Sequence, residues 1–74
     1  MLDKQQEERY KALVDERDGL VDKLQKLNAF VYTDKCSKLS CDAKDLLLVQ
    51  RDIMEQYLSI LNRRIKQFVK ECLM

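Results

Sequence analysis

The chain contains no proline and only one glycine, Gly19, among its 74 residues. Proline and glycine are the residues that most often end helices or form tight turns, so few positions can interrupt a helix. A β-rich fold and a glycine-rich phosphate loop are therefore nearly excluded. The sequence predicts an all-α protein.

Apolar residues recur at helical spacing through the first half of the chain and predict one long helix over about residues 2–32. Gly19 falls inside this helix, where glycine costs about 1 kcal/mol relative to alanine. It indicates either a bend or a close contact with another helix, and both interpretations stay open. The apolar stripe consists of Tyr10, Leu13, Leu20, Leu24, Leu27 and Val31.

The apolar pattern stops over residues 33–40. Thr33 and Ser40 are residue types that cap helix N-termini, and each is followed within two positions by an aspartate. We therefore expect a connector over 33–40 with one short helical turn, and a second long helix over about 41–72. The two helices form an antiparallel hairpin, which makes residues 1–74 a single helical domain.

The second helix carries two neighbouring apolar stripes. Because one partner helix covers only one of them, the surplus predicts that the chain associates with itself into a homo-oligomer. The alternative is that the start of helix 1 folds back over the second stripe. The first stripe consists of Leu47, Met54, Tyr57, Leu61, Ile65, Phe68 and Cys72, and the second of Leu46, Val49, Ile53 and Ile60.

The chain has no histidine, which removes the usual catalytic triads and most zinc sites. A thiol nucleophile would have only lysine or arginine beside it. We expect no catalytic residue, no metal site and no cofactor, so the protein is not an enzyme. Cys36, Cys41 and Cys72 are odd in number and form no Cys-x-x-Cys pair, so we interpret them as reduced thiols, with a disulfide or metal role as the alternative.

Charge and hydropathy limit the partners further. The net charge is only +1, although residues 60–74 contain four basic residues and one acidic residue. A field over the whole protein that would attract DNA is not expected. The polar N-terminus and the short apolar run 46–49 indicate neither a signal peptide nor a membrane span, and therefore an intracellular protein.

The chain contains the residue types that bind a small anionic ligand. Cationic side chains can bind phosphate, aromatic rings can stack on bases, and neutral side chains can form hydrogen bonds. Each candidate also has a plain structural interpretation, because tyrosines at helical spacing usually pack and lysines on a helix face are usually solvated. The candidates are Tyr10, Tyr32, Tyr57, Lys26, Arg63, Arg64, Lys66, Lys70, Asn28 and Thr33.

Residues 9–65 resemble the phage anti-CBASS sponges, small helical proteins that sequester the cyclic di- and trinucleotides with which infected bacteria activate their suicide effectors. The order and spacing of the second-helix motif contribute most to this resemblance. The shared elements are Tyr10, Val14-Asp15-Glu16, the segment from Lys26 to Val31, Thr33, Lys38-Leu39-Ser40, Leu46-Leu47 with Gln50, and the segment from Met54 to Ile65.

The resemblance implies a helical protomer that assembles into a hexamer in the bacterial cytoplasm, with ligand pockets between protomers and no reaction on the ligand. Tyr10 and Lys26 fall where the family has a base-stacking ring and a phosphate-contacting lysine. Asn28 stands where the family often has threonine. Arg64, with Arg63 beside it, falls where a separate trinucleotide pocket is expected.

Helix geometry supports a shared pocket independently. Tyr10 and Lys26 are sixteen residues apart, or about 24 Å along one continuous helix, roughly twice the length of a cyclic dinucleotide. Two first helices that run antiparallel in an assembly would bring Tyr10 of one copy beside Lys26 of another.

Two other functions remain. One is a structural or protein-inhibiting helical oligomer that acts through protein contacts, and the other is a small DNA-binding regulator based on the basic C-terminal end. Binding to DNA would weaken steeply with salt and would not depend on Tyr10.

Overall fold

The computed structural model describes residues 2–73, and the side chains of residues 2–72; Met1 and Met74, the ends of the predicted domain, lie outside the described residues. Its three helices are α1 (Lys4–Val31), α2 (Asp34–Ser37) and α3 (Cys41–Leu73). α1 and α3 pack along each other as an antiparallel hairpin that measures 52 × 15 × 14 Å. The all-α prediction, with a short helix between two long ones, is confirmed.

α1 begins at Lys4, two residues later than the predicted start, because Asp3 caps it. The backbone N–H of Gln6 donates to Asp3 Oδ1 at 2.8 Å, and the backbone N–H of Asp3 donates to Gln6 Oε1 at 3.0 Å. This reciprocal capping box satisfies two backbone donors that have no partner inside the helix.

α1 continues without interruption through Gly19. Within the described structure, a Cβ added at Gly19 would have no atom outside its own local helix within 4 Å. Gly19 therefore makes no close contact with another helix of its own chain, and a contact with a helix of another copy stays a prediction.

The two predicted capping residues mark the connector. Thr33 Oγ1 accepts from the backbone N–H of Cys36 at 3.4 Å and begins α2. Ser40 Oγ accepts from the backbone N–H of Ala43 at 3.2 Å and precedes the start of α3 at Cys41. Satisfying these otherwise unpaired donors lets the chain leave one long helix and begin the next within nine residues.

The core is a narrow seam between the long helices. Leu20 and Leu24 of α1 and Leu61 and Ile65 of α3 are buried, and Leu61 is 0% exposed. Cys36 of α2 is also buried and closes the end of the hairpin near the connector. The leucine and isoleucine residues of this seam belong to the apolar stripes predicted for each long helix, whereas Cys36 was not part of either stripe.

The contacts between α1 and α3 define their register. Near the chain ends, Gln6 Nε2 donates to Cys72 Sγ at 3.5 Å. Nearer the middle, the Tyr57 hydroxyl donates to a carboxylate oxygen of Glu16. Tyr57 is thus an exposed residue at the margin of the seam, rather than a fully packed member of the first stripe as its spacing suggested.

The second stripe of α3, hereafter the outer apolar stripe, is not covered by its own chain. Its four side chains, Leu46, Val49, Ile53 and Ile60, are 46–71% exposed. The start of α1 lies against the end of α3 instead, as the contact between Gln6 and Cys72 shows. The predicted fold-back over this stripe is therefore wrong, and the surplus of apolar surface that motivated self-association is present in the protomer.

Candidate functional site

Tyr10 lies half-buried between the two long helices. Its ring centroid is 6.0 Å from that of Phe68 in α3, with 30° between the ring planes. Aromatic pairs at this separation contribute about 0.5–1.5 kcal/mol beyond the area that they bury. The predicted stacking residue therefore also joins the start of α1 to the end of α3.

Lys26 is 77% exposed, and its Nζ lies 3.1 Å from Asp22 Oδ2, one turn earlier in α1. Such exposed pairs are weak, at about 0.3–0.5 kcal/mol, so the amine is readily released to another anion. Asn28 is half-buried although it is only two residues further along. Residues two apart differ by about 200° around a helix, so Lys26 and Asn28 lie on opposite sides of α1.

Within one protomer, Tyr10 and Lys26 are not brought together. Because α1 is continuous between them, they are separated by about 24 Å along the axis and about 160° around it. The premise of the shared-pocket prediction, an uninterrupted helix, therefore holds.

Arg63 and Arg64 are both exposed on α3 and together line a small groove of about 320 Å³, but each also lines a larger groove without the other. Arg64 lines a groove of about 420 Å³ together with Arg9 and Phe68. Arg63 lines a second groove, of about 570 Å³, together with Arg17 and Lys66. Since the Phe68 ring packs against Tyr10, Arg64 is at the same end of the hairpin as the predicted stacking residue.

This end of the hairpin, hereafter the basic end, comprises Arg9 and Arg64 beside the Tyr10–Phe68 ring pair. Ion pairs within residues 2–73 are limited to Arg17 with Asp18 and Lys26 with Asp22, so the two cations of the basic end have no described carboxylate within 4 Å. Glu16 lines the same groove without an ion pair to either arginine, so the guanidinium groups keep their hydrogen bonds for a bound anion.

Arg9 and Arg17 were not among the sequence-based candidates. Both lie in α1, more than forty residues before the basic residues 63–70 of α3, so spacing along the sequence does not connect them. The antiparallel register was the missing information: Gln6 meets Cys72 and Tyr10 meets Phe68, so α1 residues near position 10 face α3 residues near position 68. Pairing positions by this rule would have placed Arg9 beside the basic segment.

The connector end offers different chemistry. A small groove of about 260 Å³ is lined by Val31, Cys36, Ser37, Lys44 and Leu48. Cys36, Cys41 and Cys72 are free thiols. In the described part of the chain, no three histidine, cysteine or acidic side chains are grouped as metal ligands would be.

Fold and site together define a class: a small helical hairpin with an uncovered apolar stripe on one long helix and a cluster of cations and rings at one end. Residues 7–67 match the family model described as Sequestin, and the chain belongs to this family. The family name agrees with the resemblance to sponge proteins. No curated protein and no solved structure matches the chain. None of the helices formed by residues 2–73 has the length and apolar character needed to cross a bilayer.

Proposed function

We propose that this protein is a phage sponge that binds cyclic di- and trinucleotides in the host bacterial cytoplasm and so keeps CBASS effectors inactive. Membership of the Sequestin family supports a sequestering role. The observation that carries the proposal is the basic end, where Arg9 and Arg64 have no ion-pair partner among the described residues.

The ligand contacts follow from the chemistry of cyclic oligonucleotides. Each phosphodiester carries one negative charge, which an arginine can bind through two parallel hydrogen bonds. A base that stacks on an aromatic ring such as Tyr10 adds about 1–3 kcal/mol. Asn28 offers neutral hydrogen bonds, and Arg63 and Arg64 are assigned to the trinucleotide pocket.

Sequestration in this proposal needs no catalysis. The protein competes with the effector by tight, stoichiometric binding, so affinity and abundance decide the outcome. The messenger is released intact when the protein is denatured.

The proposed functional unit is a homo-oligomer, with a hexamer as the expected form. The outer apolar stripe supports this, because burying four such side chains recovers about 1–2 kcal/mol each. In the assembly, two α1 helices run antiparallel, and Tyr10 of one copy meets Lys26 of another on one ligand. Lys26 suits this role because its amine faces away from its own hairpin.

Isothermal titration calorimetry with cyclic diadenylate, cyclic diguanylate and cyclic triadenylate tests the proposal. We expect saturable heat for at least one ligand, lost in Tyr10→Ala and in Lys26→Gln. Chromatography of the ligand recovered after heat denaturation should show it unchanged. Absence of heat with all three ligands would overturn the proposal.

The second candidate, a structural or protein-inhibiting oligomer, is favoured by the outer apolar stripe alone, since that surface fits a protein partner equally well. It predicts that the chain assembles stably and that no nucleotide titration produces binding heat. The DNA-binding interpretation would instead show binding that weakens steeply with salt.

A further inference from the structure

We infer that the groove around Arg17, Arg63 and Lys66, hereafter the lateral groove, is a separate binding site for a nucleoside monophosphate. The lateral groove has a volume of about 570 Å³, within the range of about 300–1,000 Å³ typical of small-molecule sites. Both long helices of a single chain form it, so it needs no second copy. The inference does not rest on the proposed function, although Arg63 is also assigned there to the trinucleotide pocket.

Three cations reach the lateral groove, two from α3 and one from α1. Arg17 is held in place because its Nε and Nη2 lie 3.1 Å and 3.0 Å from Asp18 Oδ1, which leaves its other N–H groups for a ligand. No carboxylate of the described chain lies within 4 Å of the charged groups of Arg63 or Lys66. A phosphate monoester carries about −1.5 to −2 charge at neutral pH and three acceptor oxygens, which matches this cation set better than one phosphodiester does.

The rest of the lateral groove fits a nucleoside. Ser59 and Asn62 offer neutral hydrogen-bonding groups, and Glu55 offers an acceptor for ribose hydroxyls at the end away from Lys66. Leu58 and Ile65 form an apolar surface against which a base can lie. The groove therefore offers the groups that a mononucleotide would need: cations for the phosphate, neutral donors and acceptors, and a carboxylate acceptor.

The lateral groove lies away from the outer apolar stripe. Helical geometry places Glu55, Ser59, Asn62 and Lys66 about 140° around α3 from the centre of that stripe. Arg63 lies closer to the stripe and lines a small groove together with Ile60, so an assembly that covers the stripe leaves open the side of the lateral groove formed by these four residues.

Calorimetry with adenosine 5′-monophosphate as the probe tests the inference on the full chain. We expect saturable binding of one equivalent per chain, with no heat from adenosine, which lacks the phosphate. Lys66→Gln should weaken binding about tenfold, since a hydrogen bond to a charged group contributes about 1.5–3 kcal/mol. Lys35→Gln, the same change on the exposed surface of α2, should leave binding unchanged.

Asn62→Asp serves as a second variant, because it adds a negative charge to the groove at an exposed position and should abolish binding of the monophosphate. Circular dichroism checks that each variant remains helical. Binding of cyclic diadenylate should be unaffected by both variants and should not displace the monophosphate, which separates this site from the one in the proposed function.

Four results would overturn the inference: no heat at millimolar monophosphate, equal binding of adenosine, equal losses in Lys66→Gln and Lys35→Gln, or displacement by cyclic diadenylate. Silence in the cyclic dinucleotide titration would count against the proposed function only, because the monophosphate titration does not depend on it.

Discussion

The two halves of α3 present opposite chemistry on the same face of one helix. In the first half, Leu46, Val49 and Ile53 are exposed, and the stripe continues to Ile60. In the second half, the positions that continue this face are Arg64, Gln67 and Glu71. One helical face therefore changes from apolar to polar at Arg64, next to the basic end.

The halves also differ in what they bury. The second half buries Leu61 and Ile65 against α1. No residue of the first half is buried to the same extent. The difference teaches that the second half contributes more to the stability of the protomer, and that the first half retains apolar surface for a contact outside it. In the proposed assembly, Arg64 lies at the margin of that contact, where two copies can reach one ligand.

Placing a charge in the outer apolar stripe should have the largest effect. Ile53→Asp would bury an unpaired carboxylate in every copy of the contact, and each such ion costs several kcal/mol. We expect analytical ultracentrifugation at micromolar concentration to show only the 8.8 kDa chain. Ser59→Asp, on another side of α3, is the matched control and should assemble like the parent. If the parent itself sediments as a folded monomer, the shared pocket is excluded.

A cavity in the second half should have the next largest effect. Leu61→Ala removes a fully buried side chain and should lower the free energy of unfolding by about 2–5 kcal/mol, or the midpoint of thermal unfolding by about 10 °C or more. Leu46→Ala, in the exposed stripe, should leave the dilute protomer nearly unchanged and reduce stability only at concentrations where the chain assembles. Equal effects at all concentrations would contradict the contrast between the two halves.

Removing one cation of the basic end should weaken ligand binding without loss of folding. Arg64→Gln should raise the dissociation constant for a cyclic trinucleotide about 10- to 100-fold, because it removes charge-assisted hydrogen bonds worth about 1.5–3 kcal/mol. Arg51→Gln, an equal change in the first half of α3, is the control. If calorimetry finds the same loss of affinity in both variants, binding depends on the overall charge of the protein and not on a site at Arg64.

The smallest expected effect is on the stability of α1. The separation of Tyr10 and Lys26 depends on this helix being continuous. Gly19→Ala should raise the free energy of unfolding by about 0.5–1 kcal/mol, because alanine favours a helix interior and its Cβ meets no neighbouring atom. Thermal unfolding followed by circular dichroism measures this. A destabilised variant would indicate that another chain or a bend occupies the space beside Gly19.

Much of the local structure was predictable because its causes are local. Asp3, Thr33 and Ser40 cap the three helices through atoms only three residues away, and two of these caps were identified from residue type. The stripe containing Leu20 and Leu24 followed from spacing alone. Site residues were harder, since Arg9 and Arg17 gain their neighbours only across the hairpin.

The amino-acid sequence by itself determined the all-α class, the positions where α2 and α3 begin, and the presence of more apolar surface on the second long helix than one partner covers. These properties depend on backbone preferences and on spacing within a few residues. Only the tertiary structure decided which apolar stripe remains exposed and which cations share a groove, since both depend on the register of α1 against α3. That register is a result of packing between residues far apart in the chain, and helical periodicity carries no information about it.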